Sequence, residues 1–168
     1  MIFWIASYPK SGNTWLRALL SSYYYSENGY FDQELLRKID QFPQKRYFSK
    51  FNYDQGIVTD TSRLWIKAQE QINSDKKIRF FKTHNIFGSI NNFNFTDEKN
   101  SIGCIYVVRD PRNVITSLKN HYEMDDNQEA FINGISDKFN DLYETTGDEY
   151  PYLFNFSDYT QLLQNILF

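Results

Sequence analysis

Three short polar clusters each close an apolar run. Lys10, Ser11, Gly12, Asn13 and Thr14 follow the run Ile2–Ala6 and a Tyr8-Pro9 turn. Lys82, Thr83 and His84 follow Ile78–Phe81, and Arg109 and Asp110 follow Ile102–Val108. Together they supply two lysines, one arginine, three hydroxyl residues and one histidine, which is the equipment to bind an anionic group beside a general base. Imidazole titrates near neutrality, so it can take a proton at physiological pH. The first cluster directly precedes a helical pattern. Its backbone N–H groups, two hydroxyls and one ammonium therefore lie at a helix N-terminus, where the dipole and the unpaired first-turn N–H groups favour phosphate or sulfate.

The elements that must position these clusters can be read in order. Trp15, Leu16, Leu19, Leu20, Tyr23 and Tyr24 recur at three- and four-residue steps and predict a helix with that face apolar, ending near Gly29. Asp32 is placed to cap a short helix through Leu35, Leu36 and Ile39, with Phe31 as a staple. Lys45, Arg46 and Lys50 alternate with Tyr47, Phe48, Phe51 and Tyr53; in a short stretch of an acidic chain this reads as a loop packing its rings, rather than as a nucleic-acid surface. Thr61 or Ser62 caps a helix carrying Leu64, Trp65, Ala68, Gln69 and Ile72. Residues 77–85 form a second strand, 87–100 an Asn-rich loop, and Ile102–Val108 a third strand whose unbroken apolar run predicts cover on both faces. Asp110 and Pro111 open a helix with Val114, Ile115, Leu118 and Tyr122 on its apolar side. A helix around Phe139, Leu142 and Tyr143, a strand over Tyr152–Phe156 and a last helix after Ser157 or Asp158 complete the chain. The alternation predicts an α/β fold, a P-loop-like three-layer sandwich with a central, mostly parallel sheet flanked by helices, as one domain over residues 1–168. In such a sheet ligands sit beyond the carboxyl ends of the strands, so the three clusters are expected to converge on one crevice.

Composition narrows the class. The chain has 168 residues, 41% of them apolar, with three Trp, thirteen Tyr and fifteen Phe, enough to fill a core. A net charge of −3 gives no global field to recruit nucleic acid. Two His and one Cys without paired spacing do not make a zinc site, and Asp125 and Asp126 lack calcium-loop spacing, so no metal is assigned. Cys104, inside an apolar run, is expected to be a buried inert thiol. No signal peptide or membrane span is visible, so the glycosylation patterns at Asn94 and Asn155 read as chance, and a cytoplasmic location with no membrane or nucleic-acid partner is expected. His121, Arg17 and Arg112 read as surface or structural groups, and the Tyr23-Tyr24-Tyr25 run as packing. A Walker loop needs an earlier Gly and places its Lys after the second one. Lys10 precedes Gly12, the first glycine in the chain, and no magnesium ligand is evident, which disfavours a plain ATPase or GTPase.

The segments Tyr8-Pro9-Lys10-Ser11-Gly12-Asn13-Thr14-Trp15, Lys82-Thr83-His84 and Val108-Arg109-Asp110-Pro111-Arg112-Asn113-Val114 with Ser117 resemble the cytosolic-type sulfotransferase family, over roughly residues 2–122. The resemblance implies transfer of a sulfuryl group from 3′-phosphoadenosine 5′-phosphosulfate (PAPS), without metal, to a hydroxyl or amine of a small acceptor. It implies Lys10 at the bridging oxygen of the donor; Ser11, Gly12, Asn13 and Thr14 on the 5′-phosphate; and Trp15 against adenine. It further implies Arg109 and Ser117 on the 3′-phosphate, Lys82 orienting the sulfuryl group and His84 as general base. Asn13 stands where many relatives have Thr, and its amide is expected to donate in its place. Asn85 follows His84 where animal members have an apolar residue, which leaves the acceptor type open. The family's C-terminal Arg-Lys-Gly lid segment is absent from this sequence, which reads as a short member or a fragment. A PAPS/PAP-binding module without turnover and a small-molecule kinase on a related P-loop-like fold are the other two readings.

Overall fold

The computed structural model describes residues 1–54, 58–85 and 87–122. The chain divides into two compact units, Met1–Val108 and Arg109–Phe168. The helix, strand and last helix expected after residue 123 lie outside the described residues, as does the acidic Met124–Glu129 stretch.

The first unit begins with β1 (Ile2–Ser7), turns through the polar loop and continues as α1 (Asn13–Tyr25). Asp32 then caps a 3-10 helix, Gln33–Lys38, by accepting a hydrogen bond from the Glu34 N–H at 2.8 Å. The cap is where the sequence puts it, although the turns are tighter than α. Next come β2 (Asp40–Gln41), 3-10 helices at Lys45–Phe48 and Val58–Leu64, α2 (Trp65–Ile72) and β3 (Arg79–Thr83). A small hairpin of β4 (Ser89–Ile90) and β5 (Phe93–Asn94) precedes β6 (Ser101–Val107). The main sheet has the order β2-β3-β1-β6, and every pair in it is parallel. The predicted α/β class with a mostly parallel sheet is the observed one.

β1 is central. It pairs with β3 from Ile2–Arg79 to Ala6–Thr83, and with β6 from Phe3–Gly103 to Ser7–Val107. All of its residues except Phe3 are buried, as an apolar strand with neighbours on both sides must be. Trp4 anchors an aromatic cluster, with ring centroids 5.9 Å from Phe42, 6.1 Å from Phe81 and 5.0 Å from Phe95. Its indole N–H donates to Ser101 Oγ at 2.6 Å, so the one polar atom of the ring is satisfied. Phe48 is buried in the same cluster, with Tyr47, Phe51 and Tyr53 packed against it; the rings of residues 47–53 serve packing. Gln69 of α2 is fully buried, donating to the Phe95 carbonyl and accepting from the Thr96 hydroxyl, each at 2.6 Å. That pair of bonds ties α2 to the segment leaving the hairpin.

Four sequence expectations are corrected. The apolar face of α1 lies outward: Trp15, Leu19 and Tyr23 are exposed, whereas Asn13, Ser21 and Ser22 are buried. Asn13, Arg17 and Ser21 share the opposite face at four-residue steps. The serine hydroxyls satisfy themselves on the Ala18 carbonyl at 3.1 and 2.8 Å, so small polar residues can face inward. β6 is an edge strand among the described residues, with Ile102, Ile105 and Tyr106 exposed rather than covered on both faces. Cys104 on that strand is exposed too, where a buried thiol was expected, and partial desolvation pushes its thiol up. The Asn-rich stretch contains a hairpin. Asn91 and Asn92 both take positive φ, 52° and 63°, the backbone of a two-residue primed turn that Asn adopts readily.

In the second unit, α3 (Pro111–Tyr122) starts as predicted. Asp110 accepts from the Arg112 N–H at 3.0 Å and pairs with the Arg112 guanidinium at 2.7 Å, while Val114 and Leu118 are buried. No helix among the described residues is long and apolar enough to cross a membrane.

Candidate active site

The sheet order makes the carboxyl end of β1 a switch point. From β1 the chain reaches β3 on one side, then passes to β6 on the other. Connections diverge there, and at such a point an open α/β sheet offers a crevice beyond its strand ends. The loop that enters it is Tyr8–Gly12. It folds back through a Ser11 N–H to Tyr8 carbonyl bond of 3.2 Å. Lys10 has φ of 66° and Gly12 has φ of 104°. Gly12 occupies the N-cap of α1 in the left-handed region, which a side chain resists; the space itself is open, since an added Cβ would come only to 4.0 Å from Val107 Cγ1. A non-glycine residue held left-handed beside it is the kind of local strain that recurs at ligand loops.

The N-terminus of α1 carries no capping side-chain bond and no acidic residue in its first turn. The positive end of the helix therefore meets no carboxylate from its own first turn, which suits an incoming anion. Ser11 is buried, Thr14 exposed, and Trp15 is 80% exposed, its ring open to a stacking partner. The Asn13 amide is directed elsewhere than the sequence suggested. It donates to the Ile5 carbonyl at 3.0 Å and to Ser7 Oγ at 3.1 Å, so its side chain braces the loop against β1 and only its backbone N–H is left for an anion.

His84 follows β3 directly. Its Nδ1 lies 2.7 Å from the Ser7 carbonyl oxygen and 3.3 Å from Ser7 Oγ. A carbonyl only accepts, so Nδ1 carries the hydrogen, and the lone pair resides on Nε2. Burial lowers the His84 pKa most, with Lys82 and Arg17 adding repulsion and the Ser7 bond opposing them. Lys82 is half-buried on β3. Its pKa is lowered by burial first and by Arg17 second. Among the described residues no carboxylate pairs with Lys82 or Arg17. Half-buried cations thus lie close enough to this imidazole to favour its neutral form.

The first unit thus brings Lys10, Ser11, Gly12, Asn13, Lys82 and His84 to the carboxyl edge of one sheet. Arg109 and Ser117 belong to the second unit, Arg109 exposed just before the Asp110 cap and Ser117 half-buried on α3. His121 is exposed on the last turn of that helix. Two contributors escaped the sequence reading. Ser7 is the polar last residue of an otherwise apolar strand, and Arg17 stands one helical turn beyond Asn13. A cavity of about 350 Å³ also borders β3, near Lys38, Asp40, Tyr47 and Arg79, and none of the predicted site residues lines it.

A polar loop at the switch point of a parallel sheet, with an imidazole at the same strand edge, has the layout of sites that handle phosphate or sulfate groups. The sulfotransferase domain model matches residues 2–168, and the chain belongs to that family of sulfuryl-transferring enzymes, which draw on a sulfate donor. Comparison with curated proteins and with solved structures gives no match.

Proposed function

We propose that the chain transfers the sulfuryl group of PAPS to a hydroxyl or amine of a small acceptor, with His84 as general base. The observation that carries this reading is the 2.7 Å contact from His84 Nδ1 to the Ser7 carbonyl. It leaves Nε2 as the basic atom at the strand edge that the Lys10–Gly12 loop also occupies. The acceptor oxygen or nitrogen forms a bond to sulfur while His84 Nε2 takes its proton. The bond from sulfur to the bridging oxygen breaks, and its electron pair leaves with the 5′-phosphate of PAP. Lys10 and the first-turn N–H groups of α1 stabilise the charge growing on that phosphate, and Lys82 orients the sulfuryl group. Fixed charge aimed at developing charge is the main help a protein can give such a transfer. Trp15 offers the adenine a ring face, and Arg109 with Ser117 takes the 3′-phosphate, Arg through its bidentate fork.

The test is transfer of labelled sulfate from PAPS to a panel of phenols, alcohols and amines, by wild type and His84→Ala. Transfer by wild type that is lost in His84→Ala, with PAP still raising the melting temperature of both, is the expected result. Full transfer by His84→Ala removes the histidine from its role. Thermal protection by Mg-ATP but not by PAP removes PAPS as donor.

A further inference from the structure

Arg17 has a buried polar environment that a helix-surface charge does not need. Its Nη2 donates to the Leu36 carbonyl at 2.8 Å and to the Ile39 carbonyl at 2.7 Å, the latter directly before β2. Its Nε is buried without a partner. β2 in turn pairs with β3 so that Gln41 stands opposite Lys82, and the Phe42 N–H donates to the Lys82 carbonyl at 2.9 Å. The guanidinium is therefore fixed to backbone at two points and set beside the strand that carries Lys82 and leads into His84. On its own helix it shares a face with Asn13, which braces the anion loop.

We propose that Arg17 is a positioning residue of this site: clamped by two main-chain carbonyls, it supplies the fixed positive charge that sets the field in which Lys82 and His84 work. This rests on the sulfotransferase reading of the same crevice. A mobile lysine would need ordering each time an anion arrives, whereas a doubly tethered guanidinium is already in place. Among the described residues, the Ser7 carbonyl and hydroxyl from β1 contact His84, and Lys82 from its own strand and Arg17 from α1 act on it through their charge. Among the described residues no carboxylate acts on Arg17, Lys82 or His84. Repulsion from Arg17 and Lys82 then helps keep His84 the free base, and the same field attracts the sulfuryl oxygens.

The experiment is a histidine NMR titration of the full chain, needing neither donor nor acceptor. With only His84 and His121 present, a His121→Gln background assigns the signals. Arg17→Met removes the charge, Arg17→Gln removes it but keeps an N–H donor for the two carbonyls, and Arg17→Lys keeps the charge. The His84 midpoint is expected to move up in the Met and Gln variants and to stay near wild type in the Lys variant. A merely structural Arg17 would lower the melting temperature of the variants and leave the His84 midpoint in place. An unmoved midpoint in folded Arg17→Gln overturns the proposal, as does a Lys variant that shifts as far as Met. Because the readout is proton binding, it stands even if the chain proves to use a donor other than PAPS.

Discussion

Within six residues β1 passes from one kind of interior to another. At Trp4 the surroundings are rings: Phe42, Phe81 and Phe95 within about 6 Å, and one hydrogen bond to satisfy the indole. At Ser7 the surroundings are directional bonds: Asn13 to the hydroxyl, His84 to the carbonyl, and half-buried cations beyond. The first region is held by volume and apolar area and is indifferent to charge. The second gains little from burial and depends on where each donor and acceptor points. The strand thus separates stability from chemistry along its length, and substitutions at the two ends should fail in different assays.

The largest effect is expected from Trp4→Ala. Emptying the centre of the aromatic cluster should cost about 3–5 kcal/mol, read by urea or thermal denaturation, and a loss under about 1 kcal/mol would mean the cluster is not the core. His84→Ala should lower kcat by about 10²–10⁴-fold while the melting curve moves little, the converse pattern. Gly103→Ala tests the seam between β1 and β6: an added Cβ would lie 2.8 Å from Phe3 Cε2, on a ring already packed edge-on to Phe80 at 5.5 Å. Overpacking of this kind costs about 1–3 kcal/mol, and an unchanged denaturation midpoint would show that the Phe3 ring gives way freely.

The pH dependence sharpens the comparison further. His84 is held below the ordinary histidine value of 6.5, chiefly by burial. Between the folded and unfolded values the unfolded chain binds more protons, so the contribution of this site to stability is complete above 6.5 and falls as pH drops through the folded value. Activity follows the same proton: the acid limb of kcat/KM is expected below 6.5, and a limb above it would argue against His84 as the base. Smallest of all, Ser7→Ala removes one hydroxyl that Asn13 and His84 share but leaves the carbonyl, and should cost only about 1 kcal/mol with little change in the position of the acid limb.

The readable part of this chain was the part governed by local rules. Asp32 and Asp110 as N-caps, Pro111 as the first helical residue and the apolar strand runs all follow from short-range sterics and hydrogen bonding. The placement of the Lys10–Gly12 loop and of His84 was legible for the same reason, since each sits at the end of such a run. What escaped depends on partners distant in sequence. The periodicity of α1 shows an apolar face but not which way it turns; the packing of Asn13 on Ile5 and Ser7, and the tether of Arg17 to Leu36 and Ile39, decide that. The hairpin was missed although Asn91-Asn92 signalled it, because strands of two residues leave too little alternation to detect. The amide of Asn13 was assigned to the anion by type alone, and only the position of β1 shows that it is already engaged.

The bond that orients His84 has a consequence for how this site tolerates change. Its acceptor is a peptide carbonyl, present whichever amino acid occupies position 7. The orientation of the imidazole is thereby written into the path of the strand and not into the genetic choice at one codon. Side-chain scanning will pass over it, and a one-residue slip of β1 against β3 would abolish it while leaving every named residue intact.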